Sequence, residues 1–454
     1  MNSVWKTALL IAAGVAGVSF TAAAQVQPAP PAGIAPPPRM QEGPQRRQAR
    51  LREALQLTAN QGPDVAAAQA QAAIVEAGVK RAWTFWQPNV VATGQWDHTS
   101  APSSIPAGSL GPGSPEIILT ATNSRYGTFQ VTQPFLTPQG LFLPGIANKS
   151  AEAADRNYEE NREQILLSTA RTYFSLQGLQ GLLEAARELE KVSLQREQDA
   201  RARIAAGTEV EIALLRAQSD TAQARAQIAN RQGQIDSFLP VLEALTGEPI
   251  EPEPPRVIEL PPLGEENAQP WENAFAVRSA IAFAEAAQKS VRLDQFLWLP
   301  SVSGAFRENY NSNGGFAGKN WTNDFLLNIS VPLYDSGVRY AQLAEDRARL
   351  AQAQATLASI RARARSNWLG ARANLAATAA VVQQSEAQLQ FASRTQVQVQ
   401  ASYRAGISTS LDLQTADQQR FDAQSNVAQA RTELEIRKAE LATTVGMLYN
   451  LAMR

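Results

Sequence analysis

The chain has 454 residues and a formal net charge of −1, a balance that argues against nucleic acid as its main partner. It has no cysteine and one histidine, His98, which excludes disulfides, thiolate zinc sites and a cysteine nucleophile and leaves histidine catalysis a single candidate. Aromatic residues make up only 7%, while alanine and glutamine are heavily used, a composition for long helices packed through small side chains.

Residues 1–24 read as a secretory signal peptide. Lys6 supplies the positive charge, Ala8 to Phe20 the apolar run, and Ala22-Ala23-Ala24 the cleavage site before Gln25. No cysteine follows that site, which excludes a lipoprotein anchor, and no later stretch is long and apolar enough for a transmembrane helix. Residues 25–44 are proline-rich and lack apolar periodicity, the pattern of an extended tether. A short helical segment is expected over Arg46 to Leu57, and an alanine-rich helix after Pro63-Asp64 that stops at Pro88.

Past Pro88 the apolar period changes to two. Residues 89–99 and 125–135 read as strands of the length a tilted membrane strand needs, with Phe129 and Val131 on one face and Gln130 and Thr132 on the other. Between them, residues 100–123 are rich in Pro, Gly and Ser and read as a long solvated loop. A Gly/Pro-rich corner (TPQGLFLPG) precedes a long helix over 146–206 with Leu176, Leu179, Leu183 and Ala186 along its seam. Such a helix is about 90 Å long. It turns at Gly207 into a helix over 208–246.

Residues 248–270 form a proline- and glutamate-rich connector. The order then replays: helix from Trp271 to Trp298, strands 301–310 and 323–334, long helix 338–405, helix 407–446 and a tail, 449–454. Gly207–Gly247 aligns with Gly406–Gly446 without a gap, and Ile228, Ile235 and Leu242 fall in step with Val427, Leu434 and Leu441. Leu214, Ala217, Thr221, Ala224 and Ile228 are spaced three and four apart, as in a coiled-coil seam. The chain is therefore two tandem repeats, 45–247 and 271–448. The fold expected is mainly α with long helical hairpins and four β-strands per chain. Two shorter helices stacked end to end beside each long one would give a wall of even height, with strands at one end and glycine turns at the other. Four membrane strands cannot close alone, and open edges are not tolerated in hydrocarbon, so an oligomer is required.

These residues resemble the TolC-like outer-membrane efflux and export ducts, the outer membrane factors. The resemblance runs from about Glu53 to Leu448 and rests on the turns Tyr403-Arg404-Ala405-Gly406 and Ile204-Ala205-Ala206-Gly207, on VPLYDSGVR after the last strand and on LDLQTADQQ after the second turn. It implies a homotrimeric channel-tunnel, a β-barrel in outer-membrane lipid continued by a periplasmic α-barrel, with an equatorial belt formed by the inter-repeat and terminal segments. It implies docking of a periplasmic adaptor protein and an inner-membrane pump at the hairpin tips, which here are Gly207, Thr208 and Glu209 with Gly406, Ile407 and Ser408. Asp412 matches an acidic position ringing the periplasmic entrance, and the second acidic position is Thr415. Tyr403 matches the tyrosine of the closing latch, but its usual partners are Ser408 and Ala213, so the latch must be weaker or built otherwise.

No catalytic, cofactor or metal constellation is expected. His98 has no serine or cysteine elbow beside it, and Lys149-Ser150 follows no P-loop glycines. Alternatives are the exit duct of a type I protein secretion system and, from another class, a periplasmic coiled-coil adaptor or structural scaffold. An adaptor has one hairpin where this chain has two, and a scaffold needs no strand pairs inside a helical repeat.

Overall fold

A computed structural model describes residues 46–253, 269–314 and 318–453. The expected signal peptide and tether, and most of the connector, lie outside the described residues. The chain forms β1 (Arg47–Ala49), α1 (Leu51–Gln61), α2 (Pro63–Trp83), β2 (Asn89–His98), β3 (Ser103–Ile105), β4 (Ile117–Thr120), β5 (Asn123–Leu136), α3 (Pro138–Ala205), α4 (Glu211–Thr246) and β6 (Ile250–Pro252). It continues as α5 (Phe275–Gln295), β7 (Ser301–Asn311), β8 (Trp321–Ser330), α6 (Val338–Arg404), α7 (Ser410–Thr444) and α8 (Leu448–Met453).

The helices stand in four columns. The stack of α2 and α4 lines α3, the stack of α5 and α7 lies between α3 and α6, and α6 forms the free side. With 68 and 67 residues, α3 and α6 are each about 100 Å long. The coiled-coil seam carries the packing: Ala217, Thr221, Ala224, Ile235 and Leu242 of α4 are buried, as are Leu413, Ala416, Ala423, Val427 and Leu441 of α7. Small residues let the columns approach closely. A β-carbon on Gly178 of α3 would lie 2.4 Å from the Thr432 hydroxyl of α7.

The short helices meet end to end: a β-carbon on Gly62, before α2, would lie 3.0 Å from the Leu245 carbonyl of α4, and one on Gly446, after α7, 2.6 Å from the Phe275 ring of α5. Leu55 of α1, Leu166, Tyr173 and Leu176 of α3, Leu242 of α4, Ile250 of β6, Ala442 of α7 and Leu448 of α8 make one apolar cluster there. Trp271, Trp368, Leu441 and Val445 make the corresponding cluster of the second half. Pairing of β1 with β6 in parallel register, Arg47 opposite Ile250, ties the two ends of the first repeat together.

Several boundaries differ from the sequence reading. The first helical segment begins at Leu51 rather than Arg46, because residues 47–49 are drawn into the β1–β6 pair and the Arg50 amide, at the N-cap, is bonded by Glu53 (3.2 Å). The Gly/Pro-rich corner is the first turns of α3, not a loop before residue 146. Pro138 sits at the start, where its missing N–H costs nothing, and the Thr137 hydroxyl accepts the Gly140 amide. Pro144 leaves the Gly140 carbonyl without its helical donor, and the indole N–H of Trp86 takes that place at 2.9 Å. The loop over 100–123 contains the small β3–β4 hairpin. The last strand ends at Ser330 rather than 334, since Pro332 has no N–H for the ladder. Helices α4 and α7 begin at 211 and 410, not 208 and 407, because each turn has a three-residue exit from its glycine. The tail is helical, as α8.

Candidate functional site

At one end of the wall the four long strands form a single antiparallel sheet in the order β2-β5-β7-β8. Its register sorts the side chains by face. Val90, Ala92, Val131, Phe129, Phe306, Phe325, Leu327 and Ile329 share one face. Thr128, Gln130, Arg307, Asn309, Asp324 and Asn328 share the other, where Arg307 donates to Gln130 (3.1 Å) and Asn309 to Asp324 (3.2 Å). The apolar face is flanked by aromatic residues, with Trp96 and a Tyr310–Trp321 pair (4.9 Å) at one margin and Trp83, Trp298, Tyr334 and Tyr340 near the other. This is the face pattern of a membrane barrel segment, apolar toward lipid and polar toward a lumen. Among the described residues neither margin of the sheet, β2 or β8, has a second strand beside it. His98 ends β2, bonded to Asn123 (2.8 Å) and stacked on Trp96; Lys149 ties α3 to α5 through Glu285 (2.7 Å).

At the opposite end the two hairpins reverse by the same device. Gly207 and Gly406 have φ of +72° and +76°, a region that only glycine enters cheaply. In the first turn the Thr208 amide donates to Arg203 (3.0 Å) and the Gly207 amide to Ile204 (2.9 Å). In the second, Ile407 donates to Ser402 (2.9 Å) and Gly406 to Tyr403 (3.1 Å). Both are Schellman closures that satisfy the last carbonyls of a long helix. Ile407 is 81% exposed, and Val210, Ile212, Leu215 and Leu411 beside the turns are exposed as well.

The tips are tied to each other. Tyr403, only 8% exposed, donates its hydroxyl to the Glu209 carboxylate (3.1 and 3.3 Å), and the Arg203 guanidinium lies over its ring at 4.3 Å. Burial, and then the Glu209 charge, push the phenol upward from its ordinary range. The residues that Tyr403 meets are thus Glu209 and Arg203 rather than the expected positions 408 and 213. Glu209 faces inward to this contact as much as outward to solvent.

A second tie lies about two turns higher. Arg196 of α3 bridges Asp220 of α4 (2.8 Å) and Asp417 of α7 (3.1 Å). Gln414 of α7 donates to Asp220 (2.7 Å), and Gln396 of α6 donates to Asp417 (3.0 Å), so all four lower helices are joined. Burial pushes the Asp417 carboxyl up against the pull of Arg196. These residues are absent from the sequence reading. The available signal was the position of Asp417 and Asp220 directly beside the seam residues Ala416 and Thr221, which turns both acids half into the interface.

Asp412 is exposed and carries a local task. With Thr409 it forms the capping box of α7, its carboxylate accepting the Thr409 amide (2.9 Å) and hydroxyl (2.7 Å). Those two donors hold its carboxyl below the usual range. Thr415 bonds back to the Leu411 carbonyl (2.9 Å) and is exposed one turn further up. Among the described residues no group of three or more acidic or histidine side chains is arranged to hold a metal ion.

The chain matches the family model described as outer membrane efflux protein over residues 54–248 and 269–447. It belongs to the outer membrane efflux protein family. Family and fold are those of channels and not of enzymes, and they place this efflux family member at the outer membrane. No curated protein matches its sequence. Among solved structures it is similar to the outer membrane protein VceC of Vibrio cholerae, at TM-score 0.72 and 19% identity, covering 87% of this chain and 96% of that one. It is also similar to the Campylobacter jejuni CmeC outer membrane channel, at TM-score 0.73 and 14% identity over 87% and 85% of the two chains. The open state of the Neisseria gonorrhoeae MtrE outer membrane channel gives TM-score 0.72 and 15% identity over 87% and 89%. At such identities the likeness establishes the fold, and the efflux family member's own residues must carry the rest.

Proposed function

We propose that three copies of this chain form a channel-tunnel that is the exit duct of a tripartite efflux pump, moving small molecules from the periplasm or an inner-membrane pump to the exterior. The observation that carries this reading is the open four-stranded sheet, lipid-like on one face and polar on the other, rooted on a helical wall of about 100 Å. Its unpaired margins β2 and β8 are satisfied when copies join edge to edge, and a barrel of three such sheets falls within the known range of strand numbers. The exposed apolar side chains at the tips support docking of a periplasmic adaptor around Gly207, Thr208, Glu209, Gly406, Ile407 and Ser408. In this reading Tyr403 belongs to the closed latch, and Asp412 and Thr415 line the entrance, where Asp412 presents one carboxylate per copy. In the same reading residues 1–24 serve as the export signal.

The test is conductance in planar bilayers by protein purified from outer-membrane fractions, together with heat-modifiable trimers on gels. Monomers without conductance would overturn the duct. A deletion strain separates cargo: raised sensitivity to small toxic compounds is expected, whereas loss of a secreted protein with unchanged sensitivity would assign the duct to type I secretion.

A further inference from the structure

The last turn of α5 ends in an acid, at the helix terminus where the backbone dipole disfavours negative charge. Asp294 is 2% exposed, and among the described residues no donor reaches either of its carboxylate oxygens. The group it meets is a second acid, Asp346 of α6, which is 9% exposed. Asp346 is held on its outer side by Arg349 (3.1 Å), a residue shared with Glu345.

Among the described residues no cation besides Arg349 is recorded against the pair. Helix α3 also packs on α5, but from Pro138 to Asn148 it carries no charged side chain, and Phe142 stacks on Phe296 (5.0 Å). Arg339 is engaged by Asp335 (2.7 Å) and by the carbonyls of Leu297 and Pro332. On α5 itself, Arg292 is exposed and Lys289 reaches toward Gly145 of α3. Because Asp294 is buried within one chain, a second copy cannot supply the missing donor. A desolvated carboxylate with no donor, facing a second acid, is driven to take up a proton, which makes it a donor to that acid.

We propose that Asp294 and Asp346 form a proton-binding site, in which one proton is shared and the Asp294 carboxyl donates to Asp346. The site ties α5 to α6 at the point where the chain leaves for β7 and returns from β8. When the proton is lost, a hydrogen bond becomes a like-charge contact, and the root of the β7–β8 hairpin is loosened. The sign follows from the folded carboxyl being raised, by burial first and then by Asp346, to about 6. The folded protein then holds more protons than the unfolded chain between the ordinary aspartate range and about 6, so stability falls as pH rises through that window. The proposal rests on the packing of α5 and α6 alone and stands whether or not the duct reading does.

The test uses the full-length protein in detergent. A protonated-carboxyl band in the infrared, separate from that of the buried Glu163, whose carboxyl burial pushes up to about 7, is expected to titrate away with a midpoint near 6 and to be missing from Asp294→Asn. The unfolding temperature should fall as pH is raised through that window in the wild type and less in Asp294→Asn, whose amide donates at every pH. Should Asp294→Asn not fold, Asp346→Asn must lack the same band. An unchanged band in either variant overturns the proposal. So does a calcium- or magnesium-dependent rise in unfolding temperature at alkaline pH that Asp294→Asn abolishes, which would make the pair a cation site.

Discussion

Replacing Tyr403 by phenylalanine removes one hydroxyl from the contact between the two hairpin tips and leaves the ring for Arg203 to cover. A hydrogen bond to a charged acceptor contributes about 1.5–3 kcal/mol when fully shielded. Glu209 is only half-buried, so solvent screening reduces the value to about 1 kcal/mol per protomer. If three protomers open together, the closed-to-open ratio falls by about 3 kcal/mol, roughly a hundredfold. Single-channel recording reads this directly as a rise in open probability. Glu209→Ala should give a similar rise, and the double variant little more than either, since the two changes break one bond. Open probability within about twofold of wild type in both single variants would refute the latch and leave the contact as tip packing.

Gly406→Ala should destabilise the tip by about 1 kcal/mol, because the left-handed backbone and not any neighbour demands glycine there; limited proteolysis at the turn measures it, with trimer yield unchanged. Phe325→Arg, on the apolar face of β8, should cost about 2–4 kcal/mol per copy and deplete the protein from outer-membrane fractions, whereas Leu326→Arg on the polar face should insert. Asp412→Ala should lower cation preference in single-channel selectivity measurements and also shorten the first turn of α7, seen as faster amide exchange at residues 410–413. With its carboxyl held below the usual range, the cap of Asp412 contributes above the unfolded aspartate pKa and is lost as pH falls through the lower folded value, so wild-type exchange at 410–413 should approach that of Asp412→Ala only in strong acid.

The repeat, the columns and the strand pairs were legible because each depends on local chemistry. Gly207 and Gly406 mark Schellman turns, the seam residues recur at three and four, and Phe325, Leu327 and Ile329 alternate with Asp324, Leu326 and Asn328. Even so, Leu326 shows that alternation does not require every inward residue to be polar. The start of α3 was not legible, since Pro138, Gly140 and Pro144 favour a corner until Trp86 reaches the orphaned carbonyl. Tyr403 stood out beside its turn, but its partner Glu209 lies 194 positions away, and nothing in a one-dimensional pattern links them. Asp294, Asp346 and Asp417 illustrate the same limit: an acid on a helix reads as solvated, and only tertiary packing buries it.

The junction cluster has a consequence for how the polypeptide is made. Its wall is begun by Ala49 and Leu55 and completed by Leu448, whose amide, with that of Tyr449, is received by the buried Glu163 of α3. A ribosome delivers those groups nearly an entire chain apart, so the leading repeat stays unsealed, with its oily interior on offer, until the trailing one has emerged. Holding factors in transit therefore have a defined surface to shield, and a message truncated before codon 448 yields a product that never acquires a closed first half.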